Sequence, residues 1–73
     1  MTTTIAKAMD KRKVAAAALA EGTGLSERYI YNLRKGTRPV SVRAALLVAP
    51  HLGLDVRKLL IEQLDRELAE AQS

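Results

Sequence analysis

Ten consecutive residues, Ser26-Glu27-Arg28-Tyr29-Ile30-Tyr31-Asn32-Leu33-Arg34-Lys35, hold the side chains best suited to chemistry. Their groups suit recognition rather than catalysis. Arg28 offers a planar fork of donors, Asn32 pairs a donor with an acceptor, and Glu27 accepts. Tyr31 adds a flat apolar ring with a polar tip. Arg28 and Asn32 are four apart, so on a helix they stand one turn apart on the same side. Ile30 and Leu33, three apart, share a different face and would turn it inward. Little elsewhere adds a reaction. Without Cys there is no disulfide scaffold, no thiolate nucleophile and no Cys-ligated zinc. The single His51 does not make a metal site alone. No glycine-rich loop is built to cradle phosphate. An enzyme, a metal, a cofactor and a small-molecule ligand are all unexpected.

The charge is uneven. The chain carries a formal net charge of +4. Lys7, Lys11, Arg12 and Lys13 face only Asp10 near the start, and Arg28, Arg34, Lys35, Arg38 and Arg43 face only Glu27 in the middle. From Asp55 onward, Asp55, Glu62, Asp65, Glu67 and Glu70 outnumber Arg57, Lys58 and Arg66. A basic middle followed by an acidic end points to a polyanionic partner for the middle. The plain alternative is ordinary surface charge.

These side chains need a small, economical frame. At 73 residues the chain is expected to form one domain, residues 1–73. A chain of that size buries only about 60% of the surface it exposes when unfolded. Aromatic residues make up 3%, Tyr29 and Tyr31, so Ala, Leu, Val and Ile must build the core. The longest apolar run, Val14 to Ala20, is far short of the roughly 20 residues that span a bilayer. No convincing secretory signal is present.

Capping residues and glycines divide the chain into about five short helices. Thr3 or Thr4 caps a first helix running to about Lys11, with Ile5, Ala8 and Met9 on one face. A second runs from about Ala15 to Glu21 or Gly22. Ser26 caps a third, Glu27 to Lys35, which Gly36 ends. Ser41 caps a fourth, Val42 to about Ala49, where Pro50 is expected to end or kink it. His51-Leu52-Gly53 then forms a tight link. Asp55 caps the last helix, from Val56 to about Ala69 and at most Ala71. No stretch alternates as a strand would. Helices two and three, joined by Thr23-Gly24-Leu25, have the arrangement of a helix-turn-helix. Ala20 lets the two helices cross closely, Gly24 takes the turn, and Leu19, Leu25, Ile30 and Leu33 anchor the unit.

The chain here resembles the lambda-repressor-like, Cro-type (XRE) helix-turn-helix family. Leu19-Ala20-Glu21-Gly22-Thr23-Gly24-Leu25-Ser26 is similar to that family's second helix and turn. Tyr29-Ile30, Leu33 and Lys35-Gly36 resemble its recognition helix and following glycine. Val48-Ala49, Leu52-Gly53-Leu54 and Leu59-Leu60 resemble its later helices. The resemblance covers roughly residues 5–60. The chain departs in having Ala16 where the family often has a phosphate-touching Gln, in Pro50, and in a loop after Gly36 about one residue longer.

The resemblance implies a compact all-α bundle with an extended C-terminal helix, binding B-DNA with the third helix in the major groove. The side chains fit that use on their own chemistry. Arg28 can bond guanine O6 and N7, Asn32 adenine N6 and N7, and Glu27 the cytosine amino group or Arg28 itself. Tyr31 can lie on a thymine methyl or a sugar. Each base contact contributes about 1–3 kcal/mol of discrimination. Lys13, Ser26, Arg34, Lys35, Arg38 and Arg43 are candidate phosphate contacts that set register. Solvated surface is the alternative for Arg28 and Asn32. Tyr29 is expected to pack between helices, Lys7, Lys11 and Arg12 to be solvated, and His51 to be a link residue. Leu60, Leu64 and Leu68, spaced by four, are expected to finish the core near Leu60 and give a dimer seam beyond it. Helix-turn-helix readers commonly act as two-fold dimers with half-sites about 34 Å apart. The expected function is a double-stranded-DNA-binding transcription regulator, a repressor acting as a homodimer on an inverted repeat. Its expected place is the cytoplasm of a bacterial or phage-infected cell, with no membrane partner. Two alternatives are an antitoxin-type autorepressor and a protein-interaction module that kept the fold without DNA binding.

Overall fold

The computed structural model describes residues 3–72. Its helices are α1 Thr4–Arg12, α2 Ala16–Thr23, α3 Glu27–Lys35, α4 Val42–Leu52 and α5 Val56–Gln72, with no strand among the described residues. The fold is therefore an all-α bundle of five helices. Polar caps set four of the helix starts. Thr3 Oγ1 accepts from the Ala6 amide at 3.0 Å, Ser26 Oγ from Tyr29 at 3.1 Å and Ser41 Oγ from Ala44 at 3.1 Å. Asp55 Oδ1 accepts from the Arg57 amide at 2.8 Å. Each such bond satisfies an amide that has no partner within its helix. α2 differs: Ala15 is extended and gives it no side-chain cap.

The core is aliphatic. Met9, Leu19, Ile30, Leu33, Val48, Leu52 and Leu59 are its largest fully buried side chains. Ala45 and Ala49 are 0% exposed, so α4 meets its neighbours at short range. α2 packs on α3 and α4, α1 on α3 and α4, and α5 on α4. Polar ties complete the frame. Thr3 Oγ1 donates to the Arg34 carbonyl at 2.9 Å, joining the start of α1 to the end of α3. Thr4 Oγ1 donates to Glu62 Oε1 at 2.8 Å, and the Val40 amide donates to Gln63 Oε1 at 2.9 Å. These two bonds hold the middle of α5 across α1 and the loop before α4.

The fourth helix does not stop at Ala49. It runs through Pro50 to Leu52 and ends at Gly53, whose φ is +64°. Pro50 removes the one amide that would bond the Leu46 carbonyl, and both residues are exposed, so that carbonyl lies on the solvent side. Leu52 is 2% exposed and holds the last turn in the core. The Leu54 amide closes the end on the Ala49 carbonyl at 2.9 Å. His51 is consequently helical, not a link residue. Its ring lies on Gly22 of α2, where an added Cβ would come within 3.0 Å of Cε1. Arg12 is also more than solvated surface, because its guanidinium lies over Gly53. That position places a cation at the negative end of the α4 dipole.

Pro50→Ala is expected to stabilise the domain by about 2 kcal/mol. A proline inside a helix costs about 3 kcal/mol, offset by up to about 1 for its stiffening of the unfolded chain. Urea unfolding of the two proteins checks this, and a less stable variant would reject the account.

Candidate nucleic-acid interface

The turn between α2 and α3 is stitched by a side chain that sequence reasoning left unassigned. Thr23 is buried, and its Oγ1 donates to the Leu19 carbonyl at 2.7 Å while accepting from the Leu25 amide at 3.3 Å. One hydroxyl thus closes α2 and orients the turn. A Thr beside a Gly at a helix end was its only trace in the sequence. Gly24 has φ +76°, and its amide bonds the Ala20 carbonyl at 2.9 Å. A Cβ there would meet nothing within 4 Å, so the backbone conformation alone calls for glycine. Ser26 then starts α3.

Two side chains set the rotation of α3. Ile30 and Leu33 are 0% and 1% exposed. At about 100° per residue, the direction opposite them falls between Arg28 and Lys35. Arg28, Glu27, Tyr31 and Lys35 are all exposed. Asn32 is half-buried, and its Oδ1 accepts from Thr37 Oγ1 at 3.3 Å. Its second lone pair and its amide group remain suited to an adenine edge. Ser26, Arg28, Tyr29, Asn32 and Arg38 line one shallow depression of about 250 Å³. Candidate base and phosphate contacts therefore meet at one surface.

The flanks of α3 serve the fold. Tyr29 packs against the core and donates from its hydroxyl to the Pro39 carbonyl at 3.2 Å, as a residue between helices should. Arg34, expected as a phosphate contact, also has partners within the fold. Its Nη2 lies 3.0 Å from Asp10 Oδ1, and its Nη1 lies 3.6 Å from Met9 Sδ. The physical reason is angular: Arg34 sits on the side of α3 that faces α1. A pair this exposed contributes under about 1 kcal/mol.

The other named residues fall in different places. Ser26 Oγ accepts its capping bond and keeps a hydroxyl proton to donate. Lys13 is exposed at the end of α1, with φ +56°. Lys35 borders a groove with Thr3, Thr4, Glu62, Asp65 and Arg66. Arg38 also borders a second groove shared with Glu67 and Glu70. Arg43 is exposed on α4, on the flank of Val42 and Leu46. Leu60 packs partly on the core, so it stands apart from Leu64 and Leu68, which are exposed. Ile61, Val42 and Leu46 are exposed as well. The spacing 61, 64, 68 (three, then four) describes the exposed stripe better.

Searches against protein families, curated proteins and solved structures found no match to this chain.

Thr23→Val is expected to destabilise the domain by about 1–2 kcal/mol, because it leaves the Leu25 amide without its acceptor. Amide exchange at Leu25 should quicken in step. Unchanged exchange there would remove Thr23 from the turn's support.

Proposed function

We propose that the protein is a sequence-specific double-stranded-DNA-binding transcription regulator, a repressor, that reads the major groove with α3 and acts as a homodimer. The observation that carries this is the rotation of α3. Ile30 and Leu33 anchor it, and Arg28, Tyr31 and Asn32 stand on its outer side with Arg38 beside them. The resemblance to the lambda-repressor-like family supports the same reading, as does the uneven charge.

In this proposal Glu27, Arg28, Tyr31 and Asn32 face base edges, while Lys13, Ser26, Arg34, Lys35, Arg38 and Arg43 hold phosphates. The start of α2 adds to the phosphate set. Ala15 supplies no cap, so the first amides of α2 are left to an outside acceptor, and an anion is favoured at that end of a helix. The backbone thereby replaces what a Gln at position 16 would offer. DNA whose phosphates meet these cations releases counterions, so binding should weaken steeply with salt.

Selecting bound duplexes from a random pool tests the proposal. An enriched inverted repeat is the expected result, and no enrichment at any salt concentration would overturn it. Arg28→Ala should weaken binding to the selected site by about 1–3 kcal/mol while barely changing binding to random duplex. Equal losses on both would place Arg28 on the backbone. Ala15→Asp should raise thermal stability through a new cap, by about 1 kcal/mol. It should also reduce DNA affinity through repulsion of the phosphate. Gaining stability without losing affinity would take the start of α2 off the interface.

A further inference from the structure

Among the described residues, the exposed large apolar side chains apart from Tyr31 all belong to α4 and α5. They are Val42 and Leu46 on α4, and Ile61, Leu64 and Leu68 on α5. The two helices pack on each other, and the bond from the Val40 amide to Gln63 brings the middle of α5 beside the start of α4. At about 100° per residue, Val42 and Leu46 share one edge of α4. Leu60 and Leu64 share one edge of α5, and Ile61 and Leu68 lie further round. By this geometry Val42, Leu46 and Leu60 border the groove between the helices, and Ile61, Leu64 and Leu68 carry the apolar surface on along α5 past the start of α4. A face of this kind on so small a domain marks a protein contact.

Its charges select the occupant. α4 carries no carboxylate, and Arg43 is its cation on this face, because His51 lies on α2. On α5 the flanking charge is Asp65, because Glu62 is bonded to Thr4, and Glu67 and Glu70 border the Arg38 groove. The face thus has a cation on its α4 side and a carboxylate on its α5 side. Arg43 stands outside the Val42–Leu46 edge, and Asp65 outside Ile61. A two-fold axis along the face exchanges its sides, whereas laying α5 on α5 would oppose carboxylate to carboxylate.

We infer that this face docks a second copy of the chain, with α5 of each protomer laid antiparallel along α4 of the other. Val42 and Leu46 then pack against the partner's Ile61, Leu64 and Leu68, and Arg43 meets the partner's Asp65. Arg43 thereby leaves the phosphate set. The inference rests on the dimer in the proposed function, but not on DNA binding.

Sedimentation of the full chain without DNA, with circular dichroism melts as the check on folding, tests it. The wild type should pass from monomer to dimer with rising concentration. Leu46→Glu and Leu64→Glu should each raise the dimer dissociation constant at least about tenfold, with helicity retained. Arg43→Glu and Asp65→Arg, both at exposed positions, should each weaken the dimer, and the double variant should recover it. A wild type that stays monomeric overturns the inference. So does a dimer broken by Leu64→Glu but not by Leu46→Glu, which would mean an α5-on-α5 seam. Failure of the double variant to recover overturns it too. Duplex titration of the same proteins separates the two ideas. A monomer that still binds DNA sinks only the docking, and a dimer that binds none sinks only the DNA reading.

Discussion

The burial of Ile30 and Leu33 is the constraint on which the rest of this molecule depends. A helix of nine residues has little to hold its rotation except what it buries. Fully burying a large aliphatic side chain contributes about 1.5–3 kcal/mol, more than any exposed polar contact on α3 offers. Two such residues three apart leave one rotation favoured. That rotation decides which cations face outward and which turn back to the fold. Arg28 and Lys35 lie opposite the anchors, whereas Arg34, one turn after Ile30, faces α1 and pairs with Asp10. Residue type is the same for Arg28 and Arg34, and angle alone separates their surroundings.

The anchors need a tight frame, and small residues provide it. Ala45 and Ala49 are wholly buried, and Gly22 lets the His51 ring lie on α2. A core without large aromatic groups gains little from any one side chain, so it relies on close approach. Hydroxyls fix what packing leaves loose. Thr3 caps α1 and bonds the end of α3 with a single oxygen, and Thr23 closes α2 while orienting the turn. Neither is a large energetic contribution alone, but each fixes an angle between two helices.

Helix starts were legible because they depend on the residue in place. Thr3, Ser26, Ser41 and Asp55 cap as their side chains allow, and α3 keeps its expected bounds. The anchors of α3 were legible from their spacing. What escaped was set by distant partners. Pro50 signals a stop locally, yet Leu52 gains enough from the core to carry α4 past it. Arg34 carries a pairing with Asp10 of α1 that its own sequence surroundings do not announce. In each case local chemistry was read correctly and tertiary packing chose among its uses.

The long last helix joins both surfaces. Its middle is held by Thr4 and by the Val40 amide, so its direction follows from the same frame that orients α3. Beyond that point it overhangs, and the molecule measures 36 Å along its longest axis against 21 and 20 Å across. Glu67 and Glu70 on the overhang border the groove of Arg38, which also borders the outer face of α3. A carboxylate beside a candidate phosphate contact weakens attraction to any duplex equally, whereas base-edge bonds act only on the right one. An acidic helix next to the proposed reading surface would therefore lower binding to every duplex by a similar factor and leave discrimination to the base-edge bonds. In the proposed reading the two halves of the uneven charge oppose each other: the middle would draw a polyanion in, and the acidic end would temper that attraction whatever the sequence.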